Sequence, residues 1–185
     1  ICKNFPKNEL IAFATDSYFL NIQTDDVYKD MENIKDYLDT SDYSKDYALY
    51  SRDNQKVVGI FKDELKGETM KEIVYLRANQ YSFTVHETER LKQLIRENKL
   101  ALNTNYEMTK CKGISKSVNL SLEEYRNVLE DNEDKYKIMR SINSKKHEIY
   151  VMEINKKAIG SYDDKRYIED DNITTRPFGY HNHPN

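Results

Sequence analysis

Two short apolar runs near the start of the chain, Ile11 and Phe13, then Tyr18, Phe19, Leu20 and Ile22, are separated by Thr15-Asp16-Ser17. Branched and aromatic side chains favour strands, whereas Thr, Asp and Ser bond to their own backbone and favour turns. The pattern predicts a β-hairpin over residues 9–23 with the Asp16 carboxylate outward at the tip. The period then changes. Thr24 and Asp25 can cap a helix on which Val27, Met31, Ile34 and Leu38 recur at spacings of four, three and four, an amphipathic pattern with its acids on the wet side. A polar, tyrosine-dotted loop follows over residues 39–55.

Residues 56–65 and 71–85 read as two strands joined by a turn at Lys66-Gly67-Glu68. Leu91, Leu94, Ile95 and Leu100 predict a helix over 87–100, and residues 106–120 are basic and strand-like around Gly113. Ser121 with Glu124 three residues on forms a capping box ahead of Tyr125, Val128 and Leu129. A last strand pair, KIMRSINS and HEIYVMEINKKAI, leads into a polar tail. Two hairpins and a helix followed by a second α/β patch make an α+β chain.

Composition changes this picture little. At 185 residues with 38% hydrophobic and 33% charged positions, 15 Tyr and few Gly or Pro, the chain can bury a core and is too aromatic for a disordered polyelectrolyte. Cys2 and Cys111 have no CxxC partner, so neither a disulfide framework nor a zinc site is signalled and an intracellular setting is expected. No apolar run is long enough to span a bilayer, so no membrane partner is expected, and the first ten residues read as neither a signal nor a transit peptide.

Charge matters more. The net value is −3, but residues 1–50 and 161–185 carry an excess of acids and residues 51–160 an excess of Lys and Arg. Lys62, Lys110, Lys112 and Lys116 alternate with small or apolar residues, which fits either a strand edge that neutralises phosphates or a solvated face. Tyr81 can stack on a nucleotide or sit in a core. His181 and His183 in the terminal HNHPN could hold a metal, although a tail without further ligands argues against it. Asp163-Asp164 and Asp170-Asp171 read as solvated acids.

Several of these stretches, in this order, resemble one family. Ala14-Thr15-Asp16-Ser17-Tyr18-Phe19 is similar to the Tyr-x-Asp-Thr-Asp-Ser motif of the family B DNA polymerases, with Asp16 at the second Asp, Ala14 at the first and Ala12 at the Tyr. Gly59-Ile60-Phe61-Lys62-Asp63-Glu64 resembles the Gly-Lys-Phe-Lys-Asp-Glu run of the protein-primed branch, found in viruses and Maverick-type transposons. Tyr75-Leu76-Arg77-Ala78-Asn79-Gln80-Tyr81-Ser82 sits where that branch has Leu-Arg-Pro-Lys-x-Tyr-Ser; Tyr81 persists, but its Lys is Asn79. Residues 110–118 look like its Lys-x-Lys-Gly-x-x-Lys segment, and residues 140–172 like its last strands and carboxy-terminal tail.

The resemblance implies an α+β fold: an antiparallel palm sheet with a packed helix, followed by a small α/β thumb. It implies that residues 1–83 are the end of the palm, 84–160 a thumb with an insertion near 84–105, and 161–185 a polar carboxy-terminal tail. It implies template-directed deoxynucleotide transfer by a two-metal mechanism, with Asp16 as a catalytic Mg²⁺ ligand and Lys62, Tyr81, Lys110, Lys112 and Lys116 against a DNA primer-template. Deoxynucleoside triphosphates, and a terminal protein as primer, are the partners of the complete enzyme, in the nucleus if the host is eukaryotic. Motif A, the fingers and an exonuclease would lie upstream of Ile1, so the chain alone is expected neither to polymerise nor to hold Mg²⁺ well. The alternative is a non-catalytic DNA-binding or interaction protein descended from a decayed polymerase gene; Ala14 and Asn79 favour it, while Val57, Val58, Phe61 and Leu76 read as core positions that outlived the chemistry. An unrelated structural α+β domain is the third reading.

Overall fold

The computed structural model describes residues 5, 7–14, 16–103, 105–162, 166–171 and 174–177. Strands β1 (Asn8–Ala14) and β2 (Ser17–Ile22) form the expected hairpin, closed by the Ala14↔Ser17 pair, with a register shift between Leu10 and Ala12. The helix expected after it is short. Asp26, not Thr24 or Asp25, accepts from the Tyr28 and Lys29 amides to cap α1 (Val27–Met31), and a 3-10 helix (Glu32–Tyr37) follows. Ile34 leaves helical geometry at φ −124°, yet the apolar spacing still works: Ile34 and Leu38 bury against Phe5, with Val27 and Met31 at the margin.

Two-residue strands β3 (Leu38–Asp39) and β4 (Phe61–Lys62) pair in parallel across the tyrosine-rich loop. The run expected as one strand over 71–85 is a hairpin, β5 (Met70–Arg77) and β6 (Gln80–Val85). Asn79 makes the turn at φ 63°, a left-handed conformation that Asn tolerates better than most residues. After α2 (Glu89–Arg96), capped by Thr88, strand β7 (Glu107–Cys111) joins the other side of β6, giving an antiparallel sheet in the order β5-β6-β7. The boundary expected at 83/84 thus falls inside the central strand, and residues on both sides of it share one sheet.

The alternation of β6 builds two cores. Tyr81, Phe83 and Val85 face Leu65, Leu91 and Ile95 of α2, together with Ile73 and Met108. On the opposite face Val74 and Leu76 meet Leu120, Leu122, Tyr125 and Val128 of α3 (Leu122–Asp131) and the Ala158-Ile159 end of the last long strand. Ser82 is buried and bonded to Thr109, and Gln80 donates to the Ala158 carbonyl at 3.0 Å. Both arms of the expected capping box are present: Glu124 N donates to Ser121 Oγ, and Ser121 N to Glu124 Oε2.

Strands β8 (Lys135–Lys145) and β9 (Glu148–Ile159) form a long antiparallel ribbon that pairs with no other strand among the described residues, and β10 (Arg166–Ile168) pairs with β11 (Thr175–Pro177). Mixed helices and antiparallel sheets make the fold α+β. Among the described residues no helix is long and apolar enough to cross a membrane. Of the four positions read as core that outlived the chemistry, Leu76 packs against the core, while Val57, Val58 and Phe61 are exposed, Val58 at 98%. Thr15, Asp163, Asp164, His181 and His183 lie outside the described residues.

Candidate nucleic-acid interface

Asp16 is exposed at the hairpin tip, as its turn-forming neighbours predict. The hairpin is fixed to the β5-β6-β7 sheet by aromatic side chains. Tyr75 Oη donates to the Phe13 carbonyl at 2.7 Å, and buried Phe19 sets its ring 5.9 Å from Tyr75 and 5.0 Å edge-on from Tyr81. Tyr81 also stacks on Tyr75 at 5.9 Å and Phe83 at 6.3 Å. Burial pushes the Tyr81 hydroxyl above its ordinary value. Its ring therefore has a packing role: it belongs to the column that seats the acidic hairpin.

Tyr75, Tyr81 and Lys110 are register partners across the three strands, so they form one row on one face. With strands about 4.8 Å apart, that row is about 10 Å wide. The hairpin docks at its β5 end and exposed Lys110 stands at its β7 end. Tyr125 Oη holds the strand from behind by donating to the Lys110 carbonyl at 2.8 Å. Lys112 and Lys116 are exposed on the following turn, which bends at Gly113 with φ 91° and is tied to the ribbon where Lys156 Nζ donates to the Gly113 carbonyl. Among the described residues none of these three lysines is held in an ion pair, so a phosphate meets no competing carboxylate there.

Lys62 is placed differently. Its ammonium lies 2.8 Å from Asp42 and 3.9 Å from Asp39. The hydrogen bond to Asp42 raises the Lys62 pKa and holds the Asp42 carboxyl below the ordinary range. Asp39 is buried; burial opposes its charge, but hydrogen bonds from Ser41 and the Lys56 amide, with Lys62 nearby, hold its pKa down. The Lys62 charge is thus already matched within the chain, and the structure separates it from the other three lysines.

A further polar knot was not legible as a site. Asp63 accepts from the Leu65 amide at 2.9 Å, the Gly67 amide at 2.7 Å and Tyr43 Oη at 2.8 Å. Tyr28 Oη donates to the Glu68 carbonyl, Thr88 to the Glu68 carboxylate, and Arg90 lies 4.9 Å over the Tyr47 ring while donating to the Lys66 carbonyl. Burial foremost, then the nearby Asp63 charge, pushes the Tyr28 and Tyr43 hydroxyls far up, so both stay protonated donors. The knot gives Asp63 of the Gly-x-Phe-Lys-Asp-Glu stretch a turn-holding task. Its one sequence signal is an Asp four residues before Gly67, which adopts φ 93°.

The two-ion cage implied for Asp16 needs several fixed carboxylates. Among the described residues no group of three or more His, Cys, Asp or Glu side chains is placed to hold a metal ion, and one exposed carboxylate does not fit such a cage. What the arrangement offers is a fixed acidic tip and a cationic strand end on one side of a sheet. Comparison with protein-family models, curated proteins and solved structures finds no match to this chain.

Proposed function

We propose that this chain is the carboxy-terminal part of a DNA polymerase of the protein-primed family B type, contributing a duplex-gripping surface and one palm acid rather than a complete active site. The observation that carries the reading is the Tyr75-Tyr81-Lys110 row, which ties the Asp16 hairpin and the first of three lysines without an ion pair among the described residues to the same sheet face in the order of the family's motifs. In the complete enzyme Asp16 would be one of the Mg²⁺ ligands, with deoxynucleoside triphosphates, a primer-template and a terminal protein as its partners. Lys110, Lys112 and Lys116 would contact phosphates without reading sequence. Such an enzyme works inside the cell, in the nucleus of a eukaryotic host. The single carboxylate favours a second reading, in which a descendant of such an enzyme keeps DNA binding without catalysis.

The test is duplex binding by the intact chain at several salt concentrations. Binding is expected to be sequence-indifferent and steeply salt-dependent, and charge reversal of Lys112 and Lys116 to Glu to lower the slope of log K against log salt by roughly two. Unchanged affinity and slope in that variant would withdraw the DNA-binding reading. Extension of a primer by a longer chain that includes upstream palm segments, lost with Asp16→Asn, separates the catalytic reading from the binding-only one.

A further inference from the structure

The β8–β9 ribbon has two unlike faces. Eleven residues at about 3.3 Å each make it roughly 35 Å long. Lys137, Met139, Ser141 and Ile154 lie on the face turned toward the body, where Lys137 pairs with Glu124 at 2.6 Å and Lys156 reaches the Gly113 carbonyl. Tyr136, Ile138, Arg140 and Ile142, with their register partners Lys157, Asn155, Glu153 and Val151, and Ile149 further out, lie on the other. That outward face is uncovered: Ile138 is 62% exposed, Ile142 73%, Val151 64% and Ile149 76%. Exposed branched apolar side chains on both sides of a charged rung mark an interaction surface. At its centre Arg140 and Glu153 stand opposite each other, both exposed, and no ion pair joins them among the described residues.

We propose that this face is a self-association surface on which a second copy of the chain docks about a two-fold axis running along the ribbon. Such an axis lays β8 of one copy over β9 of the other, rung on rung. Arg140 then meets Glu153 of the second copy, twice, and Ile142 meets Val151 beside each charge pair. A two-fold axis across the strands at this rung would instead place Arg140 over Arg140, which like-charge repulsion disfavours. Stacked ribbons pack about 10 Å apart. The match is isologous, the commonest closed form of oligomer. A ribbon face is smaller than the roughly 800 Å² per partner of a standard interface, so dissociation in the micromolar range is expected.

Sedimentation velocity over a concentration series of the intact chain tests this. The wild type should dimerise, Arg140→Glu should weaken the dimer about tenfold or more, and Arg140→Glu with Glu153→Arg should restore it to within a few fold. Ile142→Ser with Val151→Ser should abolish it. If that apolar pair unfolds the ribbon, the charge swap at exposed positions still decides the matter. A wild type monomeric at about 100 µM, a double charge swap no tighter than the single variant, or association only when DNA is added would each overturn the proposal.

Discussion

Replacing Asp63 by Ala removes three hydrogen bonds at once, from the Leu65 amide, the Gly67 amide and Tyr43 Oη. Bonds to a charged acceptor contribute about 1.5–3 kcal/mol each when removed singly, but these share one carboxylate and are not additive. The Leu65 and Gly67 amides can reach water in part; Tyr43 is buried and its hydroxyl is left without its acceptor. A total near 3 kcal/mol is expected, a large fraction of the 5–15 kcal/mol typical of a domain. Asp63→Asn should lose about 2 kcal/mol, because an amide NH₂ in place of Oδ2 faces the Gly67 N–H donor. Tyr43→Phe alone should cost about 1 kcal/mol. Urea unfolding by tyrosine fluorescence gives each value from the midpoint at constant slope, and the double variant gives the coupling. An Asp63→Ala protein within about 0.5 kcal/mol of wild type would refute the view that this Asp holds the turn.

Lys62→Ala should cost under about 1 kcal/mol, as for other exposed ion pairs, and leave the salt slope of duplex binding unchanged, since Asp42 and Asp39 already match its charge; a slope lower by one would contradict this. The Asp42 carboxyl titrates below its ordinary 3.8, so its contribution is present above that value and lost as pH falls through the lowered one; acid unfolding should therefore steepen below about pH 4 in the wild type and less so in Asp42→Asn. Tyr125→Phe, which removes the bond to the Lys110 carbonyl, should lower stability by about 1 kcal/mol in urea unfolding. Asn79→Lys should destabilise by about 1 kcal/mol because the residue sits at φ 63°, whereas Asn79→Gly should be close to neutral.

Local signals were legible and distant ones were not. The first hairpin and the Ser121/Glu124 capping box depend on neighbours in the chain, and both form where their residue types place them. The turn at Asn79 was missed because Ala-Asn is a weak turn signal inside a run of strand formers, and only the pairing of Arg77 with Gln80 reveals it. Val57 and Val58 misled for the opposite reason: apolar side chains need a partner surface to become core, and none covers these two among the described residues. The lysines read alike in the sequence. Lys62 differs from Lys110, Lys112 and Lys116 only through carboxylates twenty or more residues away, Asp39 and Asp42, across a loop that the hydrophobic period does not register.

The core that unites Val74, Leu120, Leu122, Tyr125 and Val128 with Ala158 and Ile159 also sets when the protein can first fold. During synthesis the chain meets this core's last members long after its first. Until Ile159 has cleared the ribosome, the Val74 side of the central sheet has no lid from β9, and Gln80 has no Ala158 carbonyl to bond. A nascent chain paused anywhere between Val128 and Ile159 therefore presents a half-built sheet with an open apolar face, a natural substrate for a chaperone.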